Sequence, residues 1–256
     1  MATAVPQADH VQVLIDPAAM VAASARHRRR FAASVSKLDA DALASPSRCS
    51  KWSVADVLRH GVDVDGWMHA IWGGGPLPFD SFNPVTTPDE FVAAGRSTPD
   101  VEVRDCFVAS AESMAADVAG SDAERWALPS LSPLGAVPWW MSALHVFYDS
   151  WVHERDALLP LGMSVAVTDD ETVPVLAYNL ALVGTLIREP TDMVVAGIHL
   201  TTGGGEPSVA RAEADAPPDA ELIDALSGRS DLDAALPGVD AEIVHRLGVL
   251  GRIFNA

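Results

Sequence analysis

The chain has 256 residues, with 17 Lys and Arg against 35 Asp and Glu and a formal net charge of −18. Such a field argues against nucleic-acid or anionic-membrane partners, because both need clustered cations. An apolar share of 49% and a charged share of 20% fit a soluble globular protein with a core large enough for one large or two ordinary domains.

The opening MATAVPQADH has neither a basic n-region nor an apolar h-region. The most apolar run, LAYNLALVGTLI, is too short to span a bilayer. Cys49 and Cys106 stand outside any CxxC pattern and read as free thiols, so a reducing cytoplasm is expected.

From residue 17 to about 44, Met20, Ala23, Phe31, Val35 and Leu38 recur at helical spacing, which predicts a first amphipathic helix. It carries RHRRR, Arg26 to Arg30, read as a solvated face with an anion site as the minor alternative. SPSRCSKW breaks this helix. Ser53 then caps a second one, with Asp56 at its third position as a near capping box. It runs to about Trp72 and stops at GGGP.

A Pro- and Thr-rich loop is expected over 73–98, and a third helix from after Pro99 to near Ala119. Another Pro-rich loop, LPSLSPLGAVP, precedes a fourth helix at about 138–159. Residues 170–188 form a fifth, very apolar helical stretch. MVVAGIHLTTGGGEPSVARAEADA reads as two strands joined by a Gly-rich hairpin, and the tail as short helices. TGGGE lacks the strand-to-helix setting and the Lys of a phosphate cradle. The expected fold is α+β, a helical domain over 1–165 followed by a small α+β domain over 166–256.

HVFYDSWVHERD, His145 to Asp156, places His145, Asp149 and His153 four residues apart and Asp156 three further on. On a helix these share one side, opposite a stripe of Trp140, Leu144, Phe147, Trp151 and Leu158. Solvated faces usually carry Lys, Arg and Glu, whereas this strip holds His and Asp beside Met141, Val146, Val152 and Leu159. The second helix sets His60 inside an apolar arc that includes Val57, Val64, Trp67 and Met68. A lone His there reads as a satisfied core residue. His plus Asp-x-x-x-His also matches the two-His, one-carboxylate set of catalytic zinc and related sites. Spacing alone leaves a wet face, a buried polar network and a ligand set all open.

KWSVADVLRHGVDVDGW, Lys51 to Trp67, resembles the W-[ST]-V-x-D-V-x-x-H signature of the mycothiol-dependent maleylpyruvate isomerase family, within the DinB-like four-helix superfamily. YDSWVHERDALLPLG, Tyr148 to Gly162, is similar to its second signature, E-x-x-x-H-R-x-D-x-x-x-A-L-G. DAELIDALSGRSDLDAALPG, Asp219 to Gly238, resembles the sterol-carrier-like C-terminal domain that often follows. The resemblance implies a DinB-like four-helix bundle and then a small sterol-carrier-like domain. It implies zinc, or another divalent metal, on His60, Asp149 and His153, and mycothiol as the thiol cosubstrate. Two departures stand out: Asp149 replaces the family's Glu, and HERD replaces HRWD, which moves the Arg to 155 and keeps Asp156.

Asp56 stands one turn before His60 and Asp156 one turn after His153, each placed to accept its histidine's free ring N–H. The alternatives are an N-cap for Asp56 and a surface carboxylate for Asp156. His145 is a polar neighbour, a general base or a fourth ligand, and with Asp156 it is the candidate catalytic residue. The implied activity is a transferase or isomerase in which metal-bound thiolate attacks a small electrophile. A metal-dependent hydrolase and a non-catalytic small-molecule-binding protein are the alternatives. Arg59, Arg96, Arg125, Arg155 and Arg188 are candidate cations for an acidic substrate. The expected partners are the electrophile and the low-molecular-weight thiol, with the chain a monomer or homodimer.

Overall fold

A computed structural model describes residues 12–13, 15–76, 79, 81–133, 135–186, 191–195, 198–202, 208–211 and 220–254. After a short strand, β1 (Gln12–Val13), the apolar repeat folds as α1 (Pro17–Val35), which ends earlier than expected. The chain turns at Ser36 and Lys37, and Asp39 caps a separate α2 (Ala40–Ala44), its carboxylate accepting from the Ala42 N–H. Helical spacing continued across this break because Leu38 and Leu43 are both core residues.

α3 (Val54–Gly73) begins as expected. The Ser53 hydroxyl accepts the Asp56 N–H, and the Asp56 carboxylate accepts the Ser53 N–H. Gly74, at φ +68°, closes the helix in the left-handed conformation. The stretch expected as loop holds a further helix, α4 (Thr87–Gly95). Its proline lies in the first turn, where no N–H is needed, and Asp89 and Glu90 complement the positive helix end.

α5 (Asp100–Ala119) and the one-turn α6 (Ala123–Trp126) follow. The second Pro-rich stretch is a hairpin rather than a loop, β2 (Pro129–Ser132) against β3 (Gly135–Pro138). Pro129 and Pro138 face each other at its open end, where the ladder needs no further donor. α7 (Trp139–Leu158) comes next, and then α8 (Asp169–Leu186). Three strands stand where two were expected: β4 (Thr191–Val195), β5 (Ile198–Thr202) and β6 (Ser208–Arg211). The sheet order is β1-β6-β5-β4, antiparallel except for β1 beside β6. MVVAGIHLTT therefore spans two strands. Short helices α9 (Ala220–Leu226), α10 (Leu232–Ala235), α11 (Ala241–Leu247) and α12 (Val249–Phe254) complete an α+β fold.

The contacts divide the chain into two compact units, one of 1–20, 122–148 and 167–256, the other of 21–121 and 149–166. In the first, Asn179 Nδ2 donates to Ser227 Oγ at 2.9 Å, joining α8 to the end of α9. In the second, Phe31, Val35, Leu58, Phe107 and Leu158 belong to one apolar core. The Phe31 and Phe107 rings meet edge-on at 4.9 Å. Gly61 permits the close approach of α3 to α5, since a Cβ there would lie 2.6 Å from Phe107 Cε2.

RHRRR is not a solvated face. Arg26 and Arg29 are exposed, but His27 and Arg28 are buried. Arg28 pairs with Asp65 of α3 and donates from Nη1 to Ser150 Oγ of α7 at 2.9 Å. Arg30 donates twice to Glu154, at 2.7 and 3.2 Å. The basic run thus ties α1 to both helices that carry the candidate ligands.

Candidate metal centre

His60 lies on α3, and Asp149 and His153 one turn apart on α7. Both Nε2 atoms stand 3.6 Å from Asp149 Oδ1. The imidazole centroids are 5.0 Å apart. Two donors held at about 2.05 Å by a tetrahedral ion lie about 3.3 Å apart, so each imidazole stands at nearly the required spacing from the carboxylate oxygen, and all three donors lie within 4.8 Å of one another. Side-chain exposure is 8% for His60, 11% for His153 and 20% for Asp149, which makes the carboxylate the most accessible donor.

His153 Nδ1 donates to Asp156 Oδ2 at 3.0 Å, which turns the Nε2 edge of the ring towards Asp149. Asp156 is fully buried, so the surface-carboxylate alternative does not hold. Its carboxylate is gripped again by the loop before α3. Cys49 Sγ donates to Oδ2 at 3.2 Å, and Arg48 Nε lies 3.7 Å from Oδ1. The Arg48 N–H also donates to the Asp156 carbonyl at 3.1 Å. Cys49, His153 and Asp156 thus form a second group of metal-type donors, though these already bond to one another.

Burial disfavours a charged His153, but the Asp149 charge and the hydrogen bonds with Asp156 and Cys49 outweigh it and raise its pKa to about 10. A field that holds a proton so firmly also favours a cation beside Nε2. Donor type, spacing and field together fit a divalent ion.

His60 is held differently. Its Nδ1 is buried with no hydrogen-bond partner among the described residues. Asp56 does not serve it, because the carboxylate is taken by the Ser53 N–H, Arg59 Nη1 at 2.8 Å and Arg96 Nη2 at 2.9 Å. Burial pushes the Asp56 carboxyl up, yet the Arg96 hydrogen bond, the Ser53 N–H and the two guanidinium charges prevail and hold it below the usual range. The N-cap alternative is therefore the observed one.

His145, a turn before Asp149, belongs to neither donor group. Its ring centroid lies 5.5 Å from that of Tyr178. Trp52 was not singled out from the sequence, yet its ring centroid lies 5.1 Å from that of His60 and 6.1 Å from that of His153. Its Nε1 donates to Asp89 Oδ1 of α4 at 2.9 Å. The only available signal was the Trp opening the first signature. Of the candidate arginines, Arg59 is taken by Asp56 and Asp100, and Arg96 by Asp56. Arg155 lies over Trp151 at 5.1 Å and Arg125 over Trp139 at 4.5 Å. Arg188 lies outside the described residues. No described helix is long and apolar enough to cross a membrane.

The family described as the mycothiol maleylpyruvate isomerase N-terminal domain matches residues 24–158, more than half of the chain. The chain belongs to this family. The match contains His60, Asp149, His153 and Asp156, and ends before residues 219–238, which carried the sterol-carrier-like resemblance. Outside the family model, an uncharacterised protein found in two strains of Mycobacterium tuberculosis is 28% identical over 165 residues, covering 64% of this chain and 80% of that protein. Crystal structures of the mycothiol-dependent maleylpyruvate isomerase and of a histidine-to-alanine mutant of it align with a TM-score of 0.55 at 16% identity. They cover 84% of this chain and 90% of theirs. That likeness is one of fold.

Proposed function

We propose that this mycothiol maleylpyruvate isomerase-like chain is a zinc-dependent enzyme, a transferase or isomerase that uses mycothiol against a small electrophile. The observation that carries the reading is the convergence of two imidazole Nε2 atoms and one carboxylate oxygen from α3 and α7. Three protein donors are the number used by catalytic zinc, which keeps room for an exogenous ligand. A divalent ion in this set supplies a Lewis acid that lets a thiol of pKa about 8.5 bind deprotonated at neutral pH.

The chain's own residues do the rest. Asp156 keeps the His153 proton on Nδ1, and Cys49 and Arg48 keep Asp156 in place. Trp52 covers the two imidazoles on one side and limits water there. Asp149, shorter by one methylene than the family's Glu, still offers an oxygen.

The test is metal analysis followed by thiol titration. Purified protein is expected to hold about one zinc per chain, lost in His60→Ala and in His153→Ala. The cobalt-substituted protein is expected to gain a charge-transfer band on addition of mycothiol. Metal-free protein that still consumes the thiol in the presence of an electrophile would overturn the reading.

A further inference from the structure

We propose that the acceptor at this site is an uncharged aromatic electrophile, of the aryl-substituted conjugated-enone class, rather than a dicarboxylate. This rests on the metal and thiol reading above and names the substrate class for that site. A run of rings leads outward from the candidate ligands. Trp52 lies against both histidines, and Trp67 meets His60 edge-on at 6.3 Å. Trp67 in turn meets Phe91 at 5.2 Å, Phe79 at 5.3 Å and Phe82 at 6.0 Å. Phe82 is 44% exposed, and Trp52, Phe79 and Phe91 are half-buried. An aromatic surface left open beside a donor set of low exposure is suited to edge and face contacts with a planar ligand.

The charges point the same way. Asp149, Asp156 and the half-buried Asp63 place acid groups on the helices of the site. Among the described residues, Arg48 pairs with Asp156, Arg59 with Asp56 and Asp100, Arg96 with Asp56, and Lys51 with Asp89 at 3.3 Å, while Arg155 lies over Trp151. With a divalent charge offset by Asp149 and the thiolate, a dianionic acceptor meets rings and cations already paired with carboxylates. An uncharged one needs no cation. In the reaction the thiolate sulfur forms a C–S bond at the enone β-carbon and the π pair moves to the carbonyl. A solvent proton then adds at the α-carbon, so thiol plus enone gives one adduct and no oxidant or reductant is needed.

The test uses zinc-loaded full-length protein and two matched, unreactive probes, 4-phenylbutan-2-one and succinate, with binding read by ligand-observed NMR. The ketone is expected to bind saturably and succinate not to bind at the same concentration. Phe82→Ala and Phe79→Ala are each expected to weaken the ketone about fivefold. Phe82 is exposed enough for its loss to leave the fold intact, and Phe82→Leu is expected to fall between wild type and Ala. Benzylideneacetone should then consume mycothiol faster than maleate does. Succinate binding as well as the ketone, absence of saturable ketone binding, or unchanged affinity in both alanine variants overturns the proposal. Zinc content and the cobalt band need no acceptor, so failure of the metal and thiol reading shows separately.

Discussion

Replacing Arg28 with Met removes the cation that ties α1 to α3 and α7, the two helices that carry the candidate ligands. Side-chain exposure is 3% for Arg28 and 2% for Asp65, so water cannot stand in for the lost guanidinium. Breaking a buried pair by removing one partner costs about 3–5 kcal/mol. Burial already pushes the Asp65 carboxyl up, against the opposing Arg28 charge and the Ser110 hydrogen bond. Without Arg28 the group takes a proton instead of remaining charged, and protonating it at pH 7 from an unfolded pKa of about 3.9 costs about 4 kcal/mol. A carboxyl whose folded pKa is raised adds no penalty below its unfolded pKa, and its penalty grows as pH climbs towards the folded value. The Arg28→Met deficit should therefore shrink between pH 7 and pH 5 by at most about 2–3 kcal/mol, reduced by the part of this pH dependence that the raised wild-type carboxyl already shows. Urea unfolding followed by circular dichroism at both pH values measures this. Arg28→Met/Asp65→Leu should recover most of the loss, because a well-packed apolar pair replaces the ions. A deficit under about 1 kcal/mol, or one equal at both pH values, would refute the reasoning.

Asp156→Asn keeps the shape of the side chain and removes its charge, and is expected to weaken zinc binding about tenfold in chelator competition; unchanged affinity means that the buried carboxylate does not tune His153. On acidification, the wild-type urea midpoint should fall below about pH 4, because Asp56 and Glu154 both sit below the usual carboxylate range. For Glu154 burial pushes upward, but the His27 hydrogen bond and charge and the Arg30 contacts outweigh it. Depressed folded values give stability that is complete above the unfolded pKa and lost as pH falls through the folded one. Glu154→Gln should flatten that fall, and a wild-type profile already flat would count against the pairing. Gly61→Ala should lower the melting temperature, because overpacking against Phe107 costs about 1–3 kcal/mol and exceeds the gain of about 1 kcal/mol in helix propensity. Phe107→Leu in the same chain should restore part of it.

Much of this was legible in the sequence where a local rule and the tertiary structure agree. The Ser53–Asp56 box marks the start of α3 because capping is satisfied within one turn. The four-residue step of Asp149 and His153 survives as a shared donor position because α7 runs unbroken through both. His60 was visible as a polar residue in an apolar arc. What escaped depended on distant partners. Nothing within RHRRR announces that Asp65 and Glu154 lie opposite it, so composition suggested solvent. Cys49 and Trp52 sit in a loop without periodicity, and only the fold brings them to Asp156 and to the imidazoles. For Asp56 the sequence left the cap and the His60 contact both open, because about one helical turn separates it from each, and the structure shows the cap. The proline-rich stretches hid α4 and the hairpin, since proline is tolerated both in a first helical turn and at a strand end.

The two imidazoles differ in how freely they can turn. His153 is clamped through Asp156 to the loop before α3, whereas the rear nitrogen of His60 meets no acceptor among the described residues. Rotating the first ring breaks a buried hydrogen bond, and rotating the second breaks none on that side. In the proposed zinc site His60 would thus be the ligand whose ring is the less firmly set, and His153 the one fixed in advance.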